Sequence, residues 1–175
     1  MPPTSREEPP PSTPPDAENT NRGPIPSRSA YPTLLLSALL VLIADQVTKT
    51  LALETLQDGP IDLISGVITF RLSYNPGGVF GIGQDFPEVF LVATVLVVGA
   101  ILFCARKLDD HRWLIPLGLV LGGGLGNVFD RLFRNTEGRV VDFIDLHVWP
   151  IFNLADSAIV IGVLLILIIG FRSEQ

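Results

Sequence analysis

The sequence predicts a mainly α membrane protein, four transmembrane helices with a small extracytoplasmic β-sheet. Three observations carry that expectation. Hydrophobic residues make up 47% of the 175 residues and charged ones only 17%, and the apolar residues are gathered in runs. Four of those runs reach the roughly 20 helical residues that a hydrocarbon core of about 30 Å requires. Between them, two short stretches rich in β-branched and aromatic residues alternate with the period of two that marks strands.

Residues 1–30, MPPTSREEPPPSTPPDAENTNRGPIPSRSA, are rich in Pro, Ser and charge. Such a segment buries too little apolar surface to offset its ordering entropy, so it is expected to be a disordered cytoplasmic extension. It lacks the compact basic region, short apolar core and cleavage site of a signal peptide. The remainder, 31–175, is expected to be one four-helix transmembrane domain.

The first span covers about 33–53 and is apolar until Asp45. Lys49 follows four residues later, on the same helical face, with the acid in the more favourable N-terminal position. A structural ion pair is the plain reading of these two. In GVITFRLSY, Ile68, Phe70, Leu72 and Tyr74 alternate with Val67, Thr69, Arg71 and Ser73, which makes a strand. It ends in NPGGVFGIG, whose glycines permit tight turns and close backbone approach.

The second span covers about 86–105, with Glu88 near its start. The third covers 113–129 and is followed at once by Asp130 and Arg131. RVVDFIDLHV then reads as a second strand. Val140, Asp142, Ile144, Leu146 and Val148 share one side, and Asp145 lies opposite with Arg139 and His147. Asp142 is the single carboxylate in that apolar row. Paired with the earlier strand, this one would form a sheet on the outer leaflet. The fourth span covers 151–171 and is polar only at Asn153, Asp156 and Ser157.

Loop charge sets the orientation. Arg22, Arg28, Arg106, Lys107, Arg112 and Arg172 fall on one side, against Arg71, Arg131, Arg134 and Arg139 on the other. An even number of spans places both termini together, here in the cytoplasm. Asp45 and the acids from 130 to 156 then gather at the outer face.

Composition narrows the function classes. A net charge of −6 without a basic block speaks against a nucleic-acid partner. One cysteine, Cys104, excludes an internal disulfide and any multi-cysteine metal site. His111 and His147 belong to no HExxH motif, so neither a metal nor another cofactor is expected.

Five aspartates compete for a chemical role: 45, 130, 142, 145 and 156. Asp45 has Lys49, Asp130 has Arg131 beside it, and Asp145 lies on the more polar face of its strand. Asp142 and Asp156 have no sequence-local cation. Two buried carboxylates brought close cannot both ionise easily, so they share a proton, one as base towards water and the other as acid. The competing reading is that the pair caps and orients elements. A proton-coupled channel would also use intramembrane acids, but at the midplane rather than at one end of the spans. An assembly protein without chemistry leaves Asp142 in its apolar row unexplained.

The ordered set DQVTK (45–49), NPGGVFG (75–81), GNVFDR (126–131), VVDFID (140–145) and FNLADS (152–157) resembles lipoprotein signal peptidase, signal peptidase II. The resemblance spans nearly everything from 33 to 171. It implies a four-span aspartic protease of the bacterial inner membrane that cuts a prolipoprotein just before its diacylglyceryl-modified cysteine. Its partners would be such prolipoproteins and membrane lipids, its state a monomer. Carried over by motif, Asp142 and Asp156 are catalytic. Asn75, Gly77, Asn127, Arg131 and Asn153 line or support the site, and Asp45 and Lys49 match the first motif. Gly78 and Val79 stand where relatives have small, alanine-like residues, and the gap between the two aspartates is shorter than in many. Both departures bear on the substrate groove.

The topology is open to a direct test. Reporters fused after residues 106 and 172 are expected to read cytoplasmic, and those near 60 and 137 to read the outer side. The reverse pattern would put the acids in the cytoplasm and remove the protease reading.

Overall fold

The computed structural model describes residues 31–77, 87–105 and 110–173. The head at 1–30, residues 78–83 of the glycine-rich turn, Arg106 and Lys107 lie outside the described residues, as does the side chain of Glu88.

Helix α1, Tyr31–Thr55, is 25 residues long, about 37 Å at 1.5 Å per residue. Pro32 sits in its first turn, where a missing N–H costs nothing. Strands β1, Ile61–Ile64, and β2, Ile68–Asn75, follow, then helix α2, Pro87–Ala105. A 3-10 turn at His111–Trp113 leads into helix α3, Leu114–Phe133. Strand β3, Val140–Asp145, and helix α4, Leu154–Ser173, complete the chain.

Three helical segments among the described residues, 31–55, 111–133 and 154–172, are long and apolar enough to cross a membrane; α2 offers a shorter apolar stretch, Leu91–Ala105. The most apolar part of α3 is 56% buried, against 22% for α1 and 17% for α4. That difference makes α3 the centre of the bundle, with α1, α2 and α4 packed around it. Leu36, Leu39, Leu40 and Ile43 of α1 and Val160, Ile161 and Leu164 of α4 face outward, a surface suited to hydrocarbon.

The sequence of α3, LGLVLGGGLG, explains its central place. Its glycines let neighbouring backbones approach closely, the means by which helices associate where no hydrophobic drive exists between them. A Cβ on Gly123 would lie 2.5 Å from the carbonyl oxygen of Ala155, and one on Gly126 would lie 2.5 Å from Oδ2 of Asp45.

The sheet has the order β1-β2-β3, all antiparallel. Ser73 pairs with Asp142, Tyr74 with Val141 and Asn75 with Val140, and the register shifts between Phe70 and Ser73. Phe143 packs with Ala52 of α1, with Leu56 just past its end, and with Phe70 and Leu72 of β2, which seats the sheet on the last turns of α1.

The alternating stretch at 68–74 is a strand and pairs with the one carrying Asp142, as expected. Strand β1 was not anticipated; it is four residues long and exposed throughout, too short to show a period. The third helix runs on to Phe133 and takes Asp130 and Arg131 into its last turn. The fourth begins at Leu154, three residues later than expected. The apolar row around Asp142 is shorter than expected as well. Asp145 Oδ1 accepts the His147 N–H at 2.8 Å and His147 takes φ +61, so the chain turns and Leu146 and Val148 leave the strand. Asp145 lies opposite Asp142, as expected of alternation, yet it is only 3% exposed, because Arg71 of β2 lies against it.

The close packing of α3 predicts opposite outcomes for two glycines. Gly123→Ala is expected to cost about 1–3 kcal/mol by forcing α3 from α4. Gly99→Ala in α2, where a Cβ meets nothing within 4 Å, is expected to be neutral or slightly stabilising. Thermal midpoints of the detergent-solubilised proteins decide; equal midpoints would contradict the packing.

Candidate active site

Asp142 is 1% exposed, with a side-chain amide on each oxygen. Asn75, at the end of β2, donates from Nδ2 to its Oδ2 at 2.9 Å. Asn153, just before α4, donates from Nδ2 to its Oδ1 at 2.7 Å. The orientation of Asn75 is fixed from behind, where the Gly77 N–H donates to its Oδ1 at 2.9 Å. Gly77 has φ +122, a conformation glycine adopts without strain. Burial pushes the Asp142 carboxyl up to about 7, with the negative charge of Asp156 adding to the shift, while the two amides and the charge of Lys49 oppose it.

Asp156 occupies the third position of α4. Its Oδ2 accepts the Asn153 backbone N–H at 3.2 Å, while Asn153 Oδ1 accepts the Asp156 N–H at 2.9 Å. This reciprocal pair is a capping box, read here as N-x-x-D. Asp156 Oδ1 is left facing away from the helix end and accepts from Asn127 Nδ2 at 2.8 Å. The capping reading of Asp156 therefore describes one oxygen only. Asn153 holds both carboxylates, one through its side chain and the other through its main chain. Among the described residues neither Asp142 nor Asp156 makes an ion pair.

A second polar layer lies beneath. Lys49 is fully buried and its Nζ reaches Asp45 Oδ2 at 2.9 Å and Asp130 Oδ2 at 2.8 Å. It also donates to Asn127 Oδ1 at 3.0 Å. Asp45 Oδ1 accepts the Ala155 N–H at 3.0 Å, a third cap on α4. Asp130 Oδ2 accepts the Val141 N–H at 3.0 Å, which ties β3 to α3.

The sequence pairing of Asp130 with its neighbour Arg131 is corrected here. Consecutive helical residues diverge by about 100°, and Asp130 instead pairs with Lys49 and, four residues on, with Arg134 at 3.1 Å. Arg131 turns the other way. Its Nη1 donates to the Asn127 carbonyl at 3.3 Å, and its buried Nε has no hydrogen-bond partner among the described residues. It borders a cleft of about 350 Å³ together with Asn75, Gly77, Asn127 and Asp156. The far wall of that cleft is apolar, from Trp149, Ile151, Phe152, Ile159 and Val160.

Asp145 stands apart from this cleft. It pairs with Arg71 at 2.6 Å, and the His147 backbone N–H and Arg71 hold its carboxyl below the usual carboxylate range. Among the described residues no three His, Cys, Asp or Glu side chains form a cluster able to hold a metal ion. Two members of the lower layer were missed in the sequence. Gln46 adjoins Asp45, and Arg134 follows Asp130 at the spacing of four that had already revealed Lys49.

A family model described as Signal peptidase (SPase) II matches residues 37–172. A lipoprotein signal peptidase of Streptomyces griseus is 45% identical over 143 residues, covering 79% of this chain and 73% of that protein. One from Rhodococcus jostii is 38% identical over 167 residues, covering 88% and 84%. A solved bacterial membrane enzyme, at 31% identity, superposes with a TM-score of 0.75 over 83% of this chain and 91% of that one. A second does so with a TM-score of 0.68 at 33% identity. With these neighbours and its lipid-suited helices, the protein is an integral membrane protein.

The geometry around Asp142 predicts a sign. Asn75 favours the ionised carboxylate, so Asn75→Ala should raise the Asp142 pKa beyond its value of about 7. Infrared titration of the carboxyl stretch, assigned by its loss in Asp142→Asn, reads this directly. Arg71→Gln, on the opposite face of the sheet, should leave it in place. A downward shift in Asn75→Ala would contradict the assigned hydrogen bond.

Proposed function

The chain belongs to the signal peptidase II family, and from that membership we propose that it is an aspartic endopeptidase that releases signal peptides from diacylglyceryl-modified prolipoproteins. Removal of prolipoprotein signal peptides follows from the family. The aspartic mechanism and cleavage just before the lipid-bearing cysteine are the proposal. The observation that carries it is the bridging of two carboxylates without ion pairs by one residue, Asn153, beside a cleft.

In this mechanism Asp142 holds the shared proton near neutral pH, in keeping with a pKa of about 7. Asp156, at a helix N-terminus that favours negative charge, is the base. It takes a proton from water as the oxygen attacks the scissile carbonyl carbon, and Asp142 gives its proton to the carbonyl oxygen. The tetrahedral diol then collapses. Asp156 returns its proton to the leaving cysteine nitrogen, and Asp142 recovers one from a diol hydroxyl. Carboxylates, water and peptide balance without a metal or cofactor.

The scissile bond must leave its helix first, because a helical backbone keeps its polar groups occupied. Asn75 and Arg131 are placed to receive the freed backbone groups, and the apolar cleft wall to take acyl chain or signal segment. The proposal extends to the setting: a monomer in the bacterial inner membrane, α2 as a fourth span, both termini cytoplasmic, and residues 1–30 an extension without part in the chemistry.

The test is incubation of the purified full-length protein with a diacylglyceryl-modified prolipoprotein and mapping of the product. Cleavage before the modified cysteine is expected. Asp142→Asn and Asp156→Asn should each lose about a thousandfold or more, and the double variant should be no worse than either, since groups acting as a unit are non-additive. Asp145→Asn should stay within about threefold of wild type. Substantial cleavage by folded Asp142→Asn would refute the pair.

A further inference from the structure

Two side-chain amides join cations to carboxylates in this region, Asn127 between Lys49 and Asp156 and Gln46 between Arg134 and the pair Asp45 and Asp130. The oxygen and nitrogen of an amide have nearly the same shape, so its direction is set by its partners. Asn127 Oδ1 accepts from Lys49 Nζ at 3.0 Å and from Asn153 Nδ2 at 3.2 Å. Its NH2 group is thereby turned towards Asp156 Oδ1 at 2.8 Å. Gln46 repeats the pattern one layer lower. Its Oε1 accepts from Arg134 Nη2 at 2.8 Å, so its Nε2 faces Asp45 Oδ2 and Asp130 Oδ1, each at 3.2 Å.

Arg134 caps the end of α3, and its side chain is 16% exposed. It lies outside the GNVFDR motif and makes no bond to Asp142 or Asp156. The charge count shows what it supplies. Asp45 and Asp130 stand against Lys49 and Arg134, two carboxylates against two cations. Without Arg134, two buried carboxylates would share one ammonium, and Gln46 would lose the donor that sets its direction. Lys49 would be drawn towards Asp130 and away from Asn127.

We propose that Arg134 is a positioning residue for the aspartate pair, acting through Gln46 and Asp130 to hold Lys49 on Asn127, which then presents its NH2 group to Asp156. The inference rests on the pair being the hydrolytic centre. The groups facing Asp142 are Asp156 from α4, Lys49 from α1 and Arg131 from α3, with the neutral amides of Asn75 and Asn153. Those facing Arg134 are Asp130 from α3 and Gln46 and Thr50 from α1, and Tyr74, Glu137 and Arg139 line the cleft it borders. Lys49 faces Asp142 and pairs with Asp130, the partner of Arg134, so the charge of the lower layer is felt at the upper one.

The experiment is prolipoprotein cleavage by the full-length protein from about pH 5 to 9, with thermal midpoints measured in parallel. In Arg134→Gln the lower layer becomes net negative, which disfavours ionisation nearby. The acidic limb of the profile should rise by about half a pH unit or more, and kcat should fall about tenfold or more with KM within about twofold. Arg134→Lys, which keeps the charge and loses the fork that grips Gln46, should return the limb and restore kcat only in part. If Arg134→Gln does not fold, Arg134→Met removes the same positive charge with an apolar side chain in its place, and the same limb shift is expected. An unmoved limb in whichever of these folds overturns the proposal, whether kcat is unchanged or falls with the thermal midpoint. Failure of the underlying reading looks different: wild type does not cleave, or Asp142→Asn still does.

Discussion

The structure depends on one buried ammonium. Lys49 Nζ lies between Asp45 and Asp130 with all three side chains fully buried, and removing any one would strand a charge where no water can reach it. Breaking such a pair from one side costs far more than the intact pair contributes, so the three are bound to a common fate. Each aspartate also takes a backbone N–H, Asp45 from Ala155 and Asp130 from Val141. One charge cluster in the middle of α1 thereby fixes the start of α4 and the first residues of β3. Those two segments carry Asp156 and Asp142.

The cluster is only possible because α3 is thin. Gly126 lies so close to Asp45 that a methyl group would collide with the carboxylate, and Gly123 does the same against the backbone of α4. Close approach of three helices replaces the hydrophobic drive that lipid does not provide. It also keeps Asp45, Lys49 and Asp130 out of contact with solvent, which strengthens the charge interactions among them.

Five aspartates of one intrinsic kind thus acquire three environments. Asp45 and Asp130 are neutralised by cations, and Asp145 is held by Arg71 and a backbone N–H on the face of the sheet opposite Asp142. Asp142 and Asp156 are given amides and backbone N–H groups instead of cations. An amide orients a carboxylate without cancelling its charge, which is the condition the proposed proton exchange requires. What separates the ion-paired acids from Asp142 is the partner, since burial is common to Asp45, Asp130, Asp142 and Asp145.

The sequence alone determined whatever depends on near neighbours. Apolar runs defined the helices, alternation defined β2 and the strand of Asp142, and the spacing of four paired Asp45 with Lys49. Absence of a local cation singled out Asp142 and Asp156. Where the local view misled, at Asp130 with Arg131 and at Leu146 and Val148, it had assigned a partner or a strand by adjacency alone. Strand β1 was too short to carry a period. Tertiary structure decided everything that joins distant segments. Asn75 meets Asp142 across 67 residues and Gln46 meets Arg134 across 88, and neither meeting leaves a periodic mark. A periodicity reports which face a residue occupies on its own element; the partner waiting on that face is set by how the elements pack, which only the folded chain contains.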